Sequence, residues 1–243
     1  MEIIKVANYE EMSEKACSIY VERLLNLKNP VLGLATGSTP EGLYKKMIEK
    51  QNQNEVSFKN TISFNLDEYV GLDASNPNSY HYFMKDKLFN HIDIPAEQTH
   101  VPNGEVSDTE KECRDYEERI REAGHIDLQL LGLGVNGHIG FNEPGTSFSS
   151  RTHIVELDES TRNANARFFP SIDEVPTKAI TMGIETIMES KEILLLASGE
   201  NKAEAVERLI NGEVSEEFPA SILQNHDNVI VIADEAALSK VNK

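Results

Sequence analysis

Residues 30–40 read Pro-Val-Leu-Gly-Leu-Ala-Thr-Gly-Ser-Thr-Pro. The first six, Pro30 to Ala35, form a short apolar run without polar alternation, the pattern of a strand covered on both faces. The next four, Thr36, Gly37, Ser38 and Thr39, are small turn residues. Pro40 then stands at the expected first position of a helix, where a missing N–H is harmless. A buried strand that runs through a tight turn into a helix is the opening of a βαβ unit, and such strands belong to parallel sheets.

The rest of the chain repeats this alternation. Further strand candidates are Thr61 to Leu66, Ile126 to Leu133, His153 to Leu157, Lys178 to Met182, Ile193 to Ala197 and Val229 to Ala233. Helical periodicity marks Tyr9 to Leu27, Pro40 to Lys50, Ser79 to Phe89, Asp108 to Ala123, Ile184 to Met188 and Lys202 to Ile210, with stops at Asn29-Pro30, Ala123-Gly124 and Asn211-Gly212. The expected fold is α/β: an open, mostly parallel, Rossmann-like sheet of about seven strands flanked by helices. No repeat or long linker interrupts it, so residues 1–243 read as a single catalytic-sized domain. Its irregular part is 144–176, either a plain surface connection or a lid over a site.

Composition narrows the partners. The 23 Lys and Arg against 41 Asp and Glu give a net charge of −18, so the protein's field repels polyanions. Nucleic acid and anionic membranes are therefore not expected as partners. A phosphorylated small molecule is compatible only if a local pocket of donors and cations works against that field. No run approaches a membrane span and the N-terminus has no export pattern, so a cytoplasmic protein is expected. Cys17 and Cys113 suggest neither a disulfide framework nor a metal site, and fit two reduced thiols.

Four segments could carry chemistry. The Thr36 to Thr39 turn offers backbone N–H groups and two hydroxyls at a helix N-terminus, a fit for an anion, although the Gly-Lys-Ser/Thr ending of a nucleotide P-loop is missing. Asp67 and Glu68 follow an apolar strand at its carboxyl end, where open α/β sheets form their ligand crevice. Side chains alternate along an extended chain, so at most one of the two is expected to face that crevice.

The third segment, Gly132 to Pro144 (GLGVNGHIGFNEP), begins as G-x-G-x-x-G but continues without helical period, which argues against a dinucleotide cofactor. It does place His138 and Glu143 on a glycine-rich loop, an imidazole able to act as acid or base with a carboxylate to orient it. A single histidine among scattered carboxylates gives no metal-ligand spacing, and no metal is expected. The fourth segment is Thr161 to Phe169 (TRNANARFF) with Ser198 to Lys202 (SGENK), whose Arg and Lys could supply phosphate cations.

Read together, these stretches resemble glucosamine-6-phosphate deaminases. The resemblance runs from Gly33 to about Asp234 and is carried by LATGSTP (34–40), SFNLDEYVGL (63–72), SYHYFM (79–84), LGLGVNGHIGFNEPG (131–145), SRT (150–152), STRNANARFF (160–169) and SGENKA (198–203). It implies a cofactor-independent conversion of glucosamine 6-phosphate and water to fructose 6-phosphate and ammonia, in amino-sugar catabolism. It further implies that His138 moves the proton of ring opening with Glu143 against it, and that Asp67 carries a proton from C2 to C1. The phosphate would rest on Thr36, Gly37, Ser38 and Thr39, with Arg167 and Lys202 as cations.

Two departures follow from the same comparison. Many family members carry Asp two residues before the loop histidine, where this chain has Asn136. Some are activated by N-acetylglucosamine 6-phosphate through basic residues after S-R-T and a longer tail. The matching positions here are His153 and Val155, so no such activation is expected. The rival enzyme reading is a 6-phosphogluconolactonase-like hydrolase, which shares an anion site and a loop histidine. A sugar-phosphate-sensing regulator would need a DNA-binding element and a basic patch, and neither is legible. Oligomeric state leaves no trace in the sequence.

Overall fold

The computed structural model describes residues 1–157, 159, 162–163, 166 and 169–241. Its centre is a seven-stranded parallel sheet in the order β1-β10-β9-β6-β2-β3-β5. The strands are β1 (Glu2–Val6), β2 (Val31–Leu34), β3 (Ile62–Asn65), β5 (Thr99–His100), β6 (Leu128–Gly132), β9 (Glu192–Ala197) and β10 (Val229–Asp234). β2, β9 and β10 are buried along their whole length, as unbroken apolar runs should be.

The helices are α1 (Tyr9–Asn26), α2 (Glu41–Asn52), α3 (Tyr80–Lys87), α4 (Thr109–Glu122), α5 (Ile184–Met188) and α6 (Ala203–Asn211). Three of them carry side-chain N-caps. Asn8 caps α1 by accepting from the Glu11 N–H at 3.0 Å, Ser79 caps α3 through Tyr82 N–H at 3.1 Å, and Asp108 caps α4 through Lys111 N–H at 2.9 Å. Pro40 lies one position before the first helical residue rather than on it, and its carbonyl accepts from Tyr44 N–H at 2.9 Å. α1 packs on α2 and β10, while Tyr116 of α4 meets Phe64 of β3 edge-on at 5.7 Å.

The sheet is as wide as expected, and five of its seven strands, β2, β3, β6, β9 and β10, are expected ones. β1 and β5 take two of its places. The strands expected at His153 to Leu157 and Lys178 to Met182 exist as β7 (His153–Glu156) and β8 (Lys178–Thr181), but they join β4 (Asp67–Tyr69) in a separate antiparallel sheet ordered β4-β8-β7. Apolar periodicity reports that a segment is extended, not which neighbour it pairs with. In this small sheet Asp67 stands opposite Thr181, and Thr181 stands opposite His153.

The order of the large sheet fixes where a ligand can bind. From β2 the chain proceeds outward through β3 and β5, then returns to β6 on the other side of β2 and proceeds through β9 and β10. The loops leaving β2 and β6 therefore diverge, and a crevice opens at their carboxyl ends.

Candidate active site

A cleft of about 290 Å³ occupies that switch point. It is lined by the turn after β2 (Thr36 to Pro40), by Leu66 and Asp67 beyond β3, by the end of β6, by His138 and Phe141, and by Tyr80 and Lys202. Six residues singled out in the sequence thus meet in one cavity: Thr36, Gly37, Ser38, Thr39, Asp67 and His138, with Lys202 as a seventh. Asn136 and Glu143 lie behind His138. Arg167 lies outside the described residues.

The turn is held from outside the cleft. Tyr9 Oη donates to the carbonyls of Ser38 (2.9 Å) and Thr39 (3.0 Å) and accepts from Gly42 N–H at 2.9 Å. Tyr44 Oη donates to the Ala35 carbonyl at 2.5 Å. With its carbonyls engaged from behind, the turn can present N–H groups and hydroxyls forward. Gly37 has φ +89°, a left-handed conformation that a side chain would strain.

In the same cleft Lys202 Nζ donates to the Leu133 carbonyl at 2.8 Å, and burial pushes its ammonium below the ordinary lysine value. It is a cation held on neutral backbone, ready to exchange that carbonyl for an anion.

Asp67 and Glu68 separate as alternation demands. Asp67 borders the cleft, 7% exposed, and burial first, then the charge of Glu68, pushes its carboxyl up to about 8. A carboxyl balanced near neutrality can both take and return a proton. Glu68 turns away into α3.

The glycine-rich loop is pinned next to Asp67 by Asn142, which is fully buried. Its Nδ2 donates to the carbonyls of Ile139 (2.8 Å) and Met182 (2.9 Å), while Phe141 N–H donates to Thr181 Oγ1 at 3.1 Å. This fixes the loop on β8, the strand that also pairs with Asp67.

Within the loop the carboxylate does not touch the imidazole most closely. Asn136 stands between them: its Nδ2 donates to Glu143 Oε2 at 2.7 Å, and its Oδ1 lies 2.7 Å from His138 Nδ1. Glu143 Oε1 is farther, 3.5 Å from Nδ1. The carboxylate accepts only, so the amide must turn its NH₂ toward Glu143 and its oxygen toward His138. That oxygen in turn requires the proton on Nδ1, which leaves Nε2 as the acceptor nitrogen of the neutral ring. Burial raises the Glu143 carboxyl, but the His138 and Asn136 contacts outweigh it and hold the group below the ordinary glutamate value.

Tyr80 was not among the residues expected to line the site. It is the first residue of α3, and its ring stacks on Phe141 with centroids 6.2 Å apart and tilts against Tyr69 at 4.9 Å. The signal was present as a Ser cap followed by aromatics, S-Y-H-Y-F, but helical periodicity assigns such residues to the core. Among the described residues, no group of three or more His, Cys, Asp or Glu could hold a metal ion. None of the helices there is long and apolar enough to cross a membrane.

A family model described as glucosamine-6-phosphate isomerases/6-phosphogluconolactonase matches residues 7–232. The chain belongs to this family. Relatives within the family that bear the name glucosamine-6-phosphate deaminase include one from Oceanobacillus iheyensis, 61% identical over 242 residues and covering 100% of this chain and 97% of the relative. Another, from Shouchella clausii, is 60% identical over 239 residues, covering 98% and 97%. A solved structure of a monomeric glucosamine-6-phosphate deaminase superposes with a TM-score of 0.96 at 53% identity, over 99% of this chain and 100% of that one. The 6-phosphogluconolactonase of Thermotoga maritima shares the family fold, with a TM-score of 0.77 over 96% of this chain and 99% of its own, but only 20% identity.

Proposed function

We propose that this chain is a glucosamine-6-phosphate deaminase that converts glucosamine 6-phosphate and water to fructose 6-phosphate and ammonia in the cytoplasm. One observation carries the reading: the buried carboxyl of Asp67 and the imidazole of His138, with Nε2 as its acceptor nitrogen, line one cleft together with the Thr36 to Thr39 turn and Lys202. The full-length likeness to relatives of that name supports it.

The 6-phosphate binds the Thr36 to Thr39 turn and Lys202, with Arg167 as a further cation. It is remote from the reacting carbons, so its binding energy can be spent on positioning them. His138 Nε2 takes the proton of the O1 hydroxyl and delivers it to the ring oxygen, which opens the pyranose. Asp67 then removes the proton from C2 and returns it to C1. The 2-amino aldehyde becomes a 1-hydroxy 2-imine, and water adds at C2 and expels ammonia.

Asn136 holds His138 without adding charge. Asn136→Asp places a second carboxylate against the imidazole, which favours its protonated form. The expected result is a kcat/KM profile displaced to higher pH by about one unit, read from ammonia release across the pH range. An unmoved profile contradicts the role given to His138.

The test of the activity is ammonia and fructose 6-phosphate, quantified together from glucosamine 6-phosphate in chelated buffer. Equal amounts of both products are expected. Neither product, together with hydrolysis of 6-phosphogluconolactone, would transfer the assignment to the lactonase reading. That reading rests on fold alone, because solved 6-phosphogluconolactonases that share this fold are 17–20% identical to this chain.

A further inference from the structure

The carboxylate beside Asp67 is bound by its surroundings to an unusual degree. Glu68 is 1% exposed, and four donors converge on its two oxygens. Oε1 accepts from the N–H of Tyr69 at 2.8 Å and of Tyr80 at 3.0 Å, and Oε2 accepts from the N–H of His81 at 2.9 Å. The fourth contact is His81 Nδ1, 2.8 Å from Oε2. Two of the backbone donors are the first N–H groups of α3, so Glu68 anchors the start of that helix and with it the Tyr80 ring in the cleft.

The geometry points to Glu68 and His81 as a pair of positioning residues that set the proton affinity and the place of Asp67. Glu68 is one residue away on β4, and its carboxylate raises the proton affinity of Asp67. His81 Nδ1 offsets part of that charge by the hydrogen it donates to Oε2. The inference rests on the proposed proton transfer by Asp67. It extends it by giving a role to a carboxylate that never faces the cleft.

The surroundings of the pair are defined. Asp67 shares its cleft with Tyr80 of α3, His138 and Lys202, and Tyr116 of α4 lies within its electrostatic reach. His81 borders a second cavity of about 290 Å³ together with His100, Glu105, Glu112 and Arg119. Arg119 Nη2 donates to Glu112 at 2.7 Å, so those two charges are already matched. His100, whose proton affinity burial lowers, stacks on Phe64 at 4.7 Å. All of these groups are retained in the variants below.

The experiment is the pH profile of kcat/KM for ammonia release by the full chain, with Glu68→Gln, His81→Phe and Asp67→Asn beside the wild type. The acid limb reports the base that must be ionised. Glu68→Gln removes the neighbouring charge and is expected to move that limb to lower pH by about one unit. His81→Phe leaves the Glu68 charge less offset and is expected to move it the other way, by about half a unit. A merely structural role lowers rate or Tm without displacing the limb in opposite directions.

Limbs that stay put, or that move together, overturn the inference. If Glu68→Gln does not fold, His81→Phe decides alone: an upward displacement supports the pair and an unchanged limb refutes it. Asp67→Asn separates the two levels of the argument. Loss of turnover in that variant with unmoved limbs in the others removes only this inference, whereas full turnover removes the proton-transfer reading beneath it.

Discussion

Asp67→Asn is expected to lower kcat for deamination by about 10³–10⁴-fold, the cost of losing the group that moves the proton. The same substitution should make the protein more resistant to unfolding in mild base. Burial raises the carboxyl of Asp67 to about 8 from its ordinary 3.8. Between those values the folded chain holds a proton that the unfolded chain releases, so this group's contribution to stability falls as pH rises from about 4 to about 8. Asparagine carries no such penalty. The variant should therefore match or trail the wild type near pH 4 and exceed it by about 1–3 kcal/mol at pH 9, with part of the full linkage lost to local relaxation. Thermal unfolding at the two pH values, with product assays on the same preparations, checks both halves. A kcat within tenfold of the wild type rejects the assigned role.

The second large effect is expected at Gly134. A Cβ there would lie 2.3 Å from His138 Nδ1 and 2.4 Å from its Cγ, and an imidazole cannot share that space. The His138 side chain is 39% exposed, so the ring has solvent to swing into. Gly134→Ala should thus cost activity rather than fold: about a 10²-fold loss in kcat from displacement of the ring, with stability within about 1 kcal/mol of the wild type. The backbone of Gly134 is not in the left-handed region, so alanine meets no strain of its own. Measured kcat and Tm for the variant suffice. A fully active Gly134→Ala would show that His138 works from another position.

The sequence carried the helices and the buried strands because their apolar patterns are set by the sheet itself. What it concealed has specific causes. β1 is exposed at Glu2, Ile3 and Lys5 and is buried fully nowhere, so nothing marks it as a member of a buried sheet. β5 is two residues long. β4 contains two carboxylates, and a D-E-Y tripeptide reads as a solvated turn until the donors that hold Glu68 are known. Three of those four donors belong to Tyr80 and His81 of α3, twelve and thirteen residues away in the chain.

The site shows the same division. Thr36 to Thr39, Asp67 and His138 were legible because each follows a strand, and the strand order then brought them into one cavity. Lys202 was legible only as a cation at a strand-to-helix junction. Its partner, the Leu133 carbonyl, depends on β6 and β9 being neighbours. Asn136 was read as a departure from a common pattern, and the structure shows the amide relaying between His138 and Glu143.

The small antiparallel sheet has a mechanical consequence. β7 and β8 are the two stems that carry the chain into and out of residues 157–177, with Leu157 N–H donating to the Thr177 carbonyl at 2.8 Å. β8 is laced directly to β4, and Met182 N–H donates to the Leu66 carbonyl at 2.6 Å. Load applied to the stems reaches Asp67 through rows of backbone hydrogen bonds, which are short and stiff, and not through side chains that can rotate to absorb it. Asp67, the proposed acid-base group, therefore shares one backbone ladder with the stems β7 and β8, and a displacement of those stems is expected to be registered at Asp67.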